Sequence, residues 1–294
     1  MGLLLATSTS RADQARDWMF QVQQPGTYLA TDLVYPGVQA TLEHRMPIYG
    51  AANELDLKVN VLPTLYFVES QIDVELRALV LTLGVTAGVR DTFFNIAMEP
   101  GEDFTHDARQ QFVDRGETEN AITGYGEARA QLAVPFNDWV ALLAVVGARY
   151  EGGSDRTFDW RFGIMRDSGV MLRSNYTLFF HHKDFGGIGP QLEVLGYDLD
   201  GKRNTGIHYG FTYVGRLGIF KRFDALLLTL LFGTVGDVNG VPYEKVYGDH
   251  WFKVPVMVLL GYRVMWELSG PNSVDVDVKD QGPHILQPPH RLPR

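Results

Sequence analysis

From Phe252 to Leu268 every second residue is apolar: Phe252, Val254, Val256, Val258, Leu260, Tyr262, Val264, Trp266 and Leu268. Between them stand Lys253, Pro255, Met257, Leu259, Gly261, Arg263, Met265 and Glu267. A strand sends alternate side chains to opposite faces. One face of this segment is therefore unbroken hydrocarbon, while the other carries charge. The same alternation recurs upstream. Val38, Ala40, Leu42, Met46 and Ile48 oppose Gln39, Thr41, Glu43 and Arg45, with His44 interrupting the apolar face. Leu55, Leu57, Val59 and Val61 oppose Glu54, Asp56, Lys58 and Asn60, and Ile72, Val74, Leu76, Ala78 and Val80 oppose Gln71, Asp73, Glu75 and Arg77. The chain has no strong helical periodicity to cover these apolar faces. The economical solution is a closed sheet whose apolar face meets lipid.

Bulk composition agrees. A 45% hydrophobic content excludes a disordered chain, and a formal charge of −9 argues against general nucleic-acid binding. The absence of Cys removes disulfides, thiolate chemistry and Cys-ligated metals. The longest apolar runs, near Trp139–Ala148 and Ala225–Phe232, fall short of the roughly 18 residues of a membrane-spanning helix. A barrel hides its membrane signal in alternation instead.

Further alternating or extended segments cover Gly84–Met98, Gly124–Val134, Trp139–Tyr150, Phe158–Ile164, Leu172–His181, Gln191–Leu199, Ile207–Ile219 and Ala225–Val235. With the final strand, they predict an all-β, transmembrane, antiparallel up-and-down β-barrel of about twelve strands over residues 37–268. One inconsistency stands. If the short turns at 135–138 and 221–224 share one side of the membrane, an even number of strands must separate them, and five segments do. Outside the barrel, residues 1–12 suit the remnant of a secretory signal, with Ser10-Arg11-Ala12 as its cleavage site. Residues 13–36 read as a periplasmic lead-in, a plug, or a piece that folds into the barrel. Residues 99–119 are an acidic surface loop. Residues 269–294, with Pro271, Pro283, Pro288, Pro289 and Pro293, read as a flexible tail in which Val274–Val278 is suited to strand addition on a partner.

On this alternation, and on the closing aromatic of the segment Phe252 to Trp266, the chain resembles bacterial outer-membrane β-barrels as a class. The resemblance covers residues 37–268 and is architectural. It implies an outer-membrane protein surrounded by lipid and lipopolysaccharide. Such barrels usually stop at the closing aromatic, whereas this chain continues to Arg294.

The candidate site is the set of inward charges: Glu43, Arg45, Asp56, Lys58, Asp73, Glu75, Arg77, Glu127, Arg129, Asp159, Arg161, Arg173, Glu193 and Arg263. Such charges either line a water-filled path or pair across a narrow lumen. Opposite signs alternate within single strands, which favours pairing. Trp139, Trp160, Trp251 and Trp266 lie near strand ends and suit an aromatic girdle. His181 and His182 are neighbours on a strand and point to opposite faces, so they do not share a metal. No His-x-Ser arrangement marks a hydrolase, and Ser174 and His208 meet only if the fold brings them together. No catalytic residue, metal or cofactor is expected. The expected role is a non-enzymatic structural or anchoring barrel with a charge-paired lumen and an envelope partner on the tail. A narrow pore for small solutes, and an outer-membrane hydrolase, are the alternatives.

Overall fold

The computed structural model describes residues 25–34, 37–48, 53–78, 80–95, 111, 114–116, 119–137, 139–153, 155–159, 164–182, 186–215, 224–234, 237–238, 241–242 and 256–269. Twelve long strands form the wall. They are β1 (Gly26–Val34), β2 (Gly37–Pro47), β3 (Asn53–Pro63), β4 (Phe67–Ala78), β5 (Leu81–Asn95), β6 (Glu119–Pro135), β7 (Val140–Glu151), β10 (Gly169–His182), β11 (Gly186–Leu199), β12 (Lys202–Gly215), β13 (Asp224–Thr234) and β16 (Val256–Ser269). Four short strands lie outside the wall. β8 (Thr157–Asp159) pairs with β9 (Ile164–Arg166), and β14 (Asp237–Val238) pairs with β15 (Val241–Pro242). Each wall strand pairs antiparallel with its neighbours, and β1 pairs with β16 to close the barrel. Closure leaves no open sheet edge, which a lipid-embedded sheet requires. The seam carries its own lock. Asp32 stands opposite Arg263 in the β1–β16 register, and the guanidinium grips the carboxylate at 2.5 and 2.8 Å.

Alternation sets the two faces. On β4 and β5, Ile72 and Val85 are 59% and 61% exposed, whereas the adjacent Asp73 and Thr86 are 2% and 3% exposed. The apolar side chains are the outward ones, and the polar ones are buried inside. The outward set continues around the wall through Leu33, Leu42, Val59, Val89, Leu172, Ile188, Phe211 and Leu260. So much contiguous exposed hydrocarbon is unstable in water. In a bilayer it is the lipid-facing band of a transmembrane barrel.

Strand direction orients the molecule. The start of β1 and the end of β16 lie at one end, which also carries the short connections 48–52, 79–80, 136–139, 183–185 and 216–223. The opposite end carries the long connections 96–118, 152–168 and 235–255, besides the short ones at 35–36, 64–66 and 200–201. Bacterial outer-membrane barrels keep short turns on the periplasmic side and longer loops outside. We therefore describe the protein as an integral outer-membrane β-barrel, and label its ends periplasmic and external accordingly.

The count of twelve stands, but its membership changes. Residues 158–164 are not a wall strand. β8 and β9 have three residues each, far short of the roughly 9–11 needed to span the bilayer. Gly26–Val34 takes the vacant place as β1, so the wall begins at Gly26 and not at Gly37. This resolves the parity conflict. Only β7, β10, β11 and β12 separate the turns after β6 and after β12, so both turns are periplasmic. The segments 1–12, 13–24 and 270–294, and most of the acidic loop 99–119, lie outside the described residues.

Candidate functional site

The inward charges of β2 to β6 form one network. Glu43 faces Lys58 and Arg45 faces Asp56 across β2 and β3. Arg45 Nε donates to Glu43 at 2.8 Å, and Arg77 Nη2 lies 2.8 Å from Asp56 and 3.1 Å from Glu75. Lys58 Nζ reaches Glu75 at 2.6 Å. Deeper in the barrel, Arg129 Nη2 spans Glu75 at 2.7 Å and Asp73 at 3.2 Å. Thr86 Oγ1 donates to Asp73 as well. The like-charged pair Asp56 and Glu75 stands face to face across β3 and β4, and Arg77 bridges it. The alternation of signs along each strand thus becomes cross-strand pairing once the register is set.

Tyr125 on β6 forms a shelf above this network. Gly88 is its direct partner on β5, and a Cβ built there would stand 2.4 Å from the Tyr125 ring. Glycine therefore lets the ring lie flat on the neighbouring backbone. Tyr125 Oη donates to Gln71 at 2.7 Å, and the Arg149 guanidinium stacks 3.5 Å from the ring centre. Gly88→Val is expected to dislodge the ring and cost about 1–3 kcal/mol. Urea unfolding of the detergent-folded protein checks this, and an unchanged midpoint would contradict the packing described.

A second cluster sits at the external mouth, where the β8–β9 hairpin meets the wall. Arg90 Nε donates to Glu69 at 2.8 Å, and its Nη1 reaches Glu151 at 3.3 Å and Asp159 at 3.4 Å. Arg166 Nη2 meets Glu151 at 2.8 Å, and its Nε donates to Asp159 at 3.0 Å. Arg149 Nε donates to Glu151 at 2.8 Å. The hairpin also buries Ile164 completely, and β9 packs along β11. Burial alone would raise the Asp159 carboxyl, but Arg90, Arg166 and Arg149 outweigh it and hold the group below the usual carboxylate range. A depressed folded value means its contribution to docking is complete above the free-Asp value of about 4 and fades as pH falls below that. Among the described residues, the carboxylates that share its guanidinium partners are Glu69 and Glu151. Protection of the Thr157–Asp159 amides, relative to the intrinsic exchange rate at each pH, is expected to be unchanged down to about pH 5 and to fall below about pH 4. Loosening near neutral pH would contradict this.

The wall from β10 to β16 is less charged. Arg173 Nη2 meets Glu193 at 2.7 Å, and His208 Nδ1 lies 3.3 Å from the same carboxylate. Thr212 contacts Gln191 and Thr229 beside them. Buried Leu195, Tyr197, Leu199 and Met265 fill the remainder. Ser174 falls on the outward register of β10, beside Leu172 and Tyr176, while His208 points inward, so the two do not meet.

Of the expected inward charges, Glu43, Arg45, Asp56, Lys58, Asp73, Glu75, Arg77, Glu127, Arg129, Arg173, Glu193 and Arg263 line the inner wall. Asp159 does not belong to the wall. It reaches the lumen from the hairpin, because its segment is too short to span. Arg161 lies outside the described residues. Sequence reasoning omitted Asp32, Glu69, Arg90, Arg149, Glu151, Arg166 and His208, and all of these are buried here. Among the girdle candidates, Trp139 sits in the exposed β6–β7 turn, where Asn137 Oδ1 accepts from its backbone N–H at 2.8 Å. Trp266 lies near the periplasmic end of β16. Trp160 and Trp251 lie outside the described residues.

No family model and no curated protein matches the sequence. Among solved structures, the chain is similar to LpxR from Salmonella typhimurium at 11% identity and a TM-score of 0.36, covering 82% of this chain and 100% of that one. It is similar to the KdgM porin at 11% identity and a TM-score of 0.30, covering 81% and 95%. It is also similar to the CymD monoaromatic hydrocarbon channel at 9% identity and a TM-score of 0.34, covering 88% and 94%. Likenesses this loose assign none of those proteins' activities to this chain.

Proposed function

We propose that this outer-membrane barrel is a non-enzymatic structural or anchoring component of the envelope, with a lumen closed by charge pairing. The observation that carries this reading is the burial of the inward charges against one another. Asp56, Glu43 and Asp73 are at most 2% exposed, and each is within 4 Å of a cation. Charges that set the selectivity of an open pore face water and the passing ion. These face each other. In this reading lipid and lipopolysaccharide surround the wall, and the Pro-rich residues 269–294 are the contact segment for an envelope protein.

The test is conductance of the detergent-folded protein in a planar bilayer, after a shift of gel mobility on boiling has verified folding. A quiet current from folded protein is the expected result. Discrete steps from the unmodified chain would replace the anchoring reading with that of a narrow pore.

A further inference from the structure

We infer that the middle of the lumen is an enclosed chamber that binds a small organic carboxylate. This rests on the closed-lumen reading and adds a ligand to it. Inward side chains are buried toward both ends of the wall. Arg45, Phe179 and Met265 are buried toward the periplasmic end, and Tyr125, Arg149 and Leu195 toward the external end. Between these levels lies a patch of two rows, in register across β6, β7 and β10. Arg129, Gly147 and Arg173 form one row, and Gln131, Val145 and Asn175 form the next. All six residues lie on the inward register, and all six are half-buried. Inward positions that keep contact with solvent between two buried levels line a space inside the barrel.

The ion pairs at this level present their cations. The Arg173 side chain is 40% exposed and its partner Glu193 only 5%, while Arg129 is 23% exposed and Asp73 only 3%. On the far side of the ring, Arg263 is 39% exposed and Asp32 only 9%. By contrast, Arg45 with Glu43, and Arg90 with Glu69, are buried together. Each pair at mid-barrel is neutral, yet the surface it turns to the chamber is guanidinium. Among the described carboxylates around the chamber Glu127 is the most exposed, at 20%, and Arg149 lies 3.6 Å from it. Donors remain for a ligand. Asp32 takes only Nε and Nη2 of Arg263, and a guanidinium carries five N–H groups. Gly147 sets no side chain between Arg129 and Arg173, whose Cα atoms stand two strand spacings apart, about 10 Å. An anion therefore has room between them. Gln131 and Asn175 add amide donors without charge. A planar guanidinium matches a carboxylate through two parallel hydrogen bonds. Val145, between the two amides, offers an apolar floor to the carbon part of the ligand, which favours a short organic acid over an inorganic anion.

The experiment follows reversible urea unfolding of the whole chain in detergent, in sodium succinate and in sodium chloride of equal ionic strength. The chain is refolded in succinate, so entry needs no opening of the folded barrel. A ligand held only by the folded state raises the folded-to-unfolded ratio about tenfold for each tenfold in concentration above its Kd. The midpoint of the unmodified protein is therefore expected to rise with succinate. Arg173→Gln/Glu193→Gln removes a guanidinium together with its partner, strands no charge, and is expected to lose the response. Val145→Glu sets a carboxylate between the two amides without touching an ion pair, and is expected to lose it too. An unmodified protein that responds to succinate no more than to chloride overturns the site, and so does an undiminished response in either folded variant. If neither variant folds, equilibrium dialysis of labelled succinate against the folded parent decides. Stoichiometric binding supports the site, and none overturns it. Conductance steps from the unmodified protein would instead overturn the closed-lumen reading, which the succinate response does not probe.

Discussion

Arg77→Leu is expected to cost the folded barrel about 3–5 kcal/mol, because it breaks a buried ion pair from one side. Arg77 Nη2 is the closest cation to Asp56, at 2.8 Å, and the next, Arg45 Nε, is 4.0 Å away. Asp56 is fully buried and stands opposite Glu75. Without the guanidinium, two carboxylates face each other; Glu75 keeps Lys58 at 2.6 Å and Arg129 at 2.7 Å, but Asp56 keeps only Arg45 at 4.0 Å. Replacing both partners tells a different story. In Asp56→Leu/Arg77→Leu the stranded charge is gone, and apolar side chains of similar volume often replace a buried pair at little cost. The double variant is therefore expected to be more stable than the Arg77→Leu single variant. The two single costs should miss additivity by about 1–3 kcal/mol. Reversible urea unfolding in lipid vesicles, followed by tryptophan fluorescence, measures all three. Additive losses would mean that the pair is not coupled.

Glu151→Ala is expected to act on two levels at once. Its Oε1 meets Arg166 and Arg90, and its Oε2 accepts from Arg149. Deleting the carboxylate takes the closest acidic partner from Arg149 and Arg166 and leaves three guanidiniums with Glu69, Asp159 and the more distant Glu127. The loss should be about 3 kcal/mol or more, since three buried guanidiniums lose the counter-charge they share. The hairpin should loosen too, becoming open to trypsin between residues 157 and 166. The contrast with Asp159→Ala/Arg166→Ala is informative. That variant removes one charge of each sign and keeps Glu151 with Arg90 and Arg149, so it should loosen the hairpin while changing the barrel's unfolding midpoint far less. Equal destabilisation by both variants would mean that the barrel depends on the Asp159–Arg166 pair as much as on Glu151.

The lipid-facing half of the fold was legible because hydrocarbon and charge alternate without ambiguity on β2, β3 and β4. Two segments misled in opposite directions. Phe158, Trp160, Phe162 and Ile164 alternate as a wall strand does, yet Asp159 and Arg166 bind the wall from inside while Ile164 is buried. Period-2 alternation reports that two faces differ, not that one of them meets lipid. Gly26–Val34 was ambiguous for the converse reason. Its inward residues include Tyr28 and Ala30, so the contrast with outward Leu29 and Leu33 is weak. What settles β1 is the Asp32–Arg263 seam, a contact between distant parts of the sequence.

The site was legible where a charge lay mid-strand and not where it lay at a strand end. Glu69 continues the inward register of Gln71, Asp73 and Glu75, and Arg90 continues that of Thr86. Extending the first alternation by one inward position would have included Glu69, and Arg90 lay within Gly84–Met98, a segment whose glycines and threonines left its register unread. Arg149 and Glu151 sit at the end of an almost wholly apolar segment, whose inward face includes Val145 and Gly147, so nothing local marked the change. The meeting of Arg166 with Glu151 depends on how the connection folds back, which strand periodicity does not encode.

The most direct test of the paired lumen uses the absence of native cysteine. Thr86→Cys places a single thiol on the inner wall, beside Asp73 and Arg129, where the parent residue is 3% exposed. Labelling of the folded protein in vesicles by a charged, membrane-impermeant maleimide is compared with labelling after unfolding. Paired and packed charges predict a thiol that is protected until the barrel unfolds. Rapid labelling of the folded barrel would show that water and solute reach the middle of the lumen, and would contradict its closure by ion pairing.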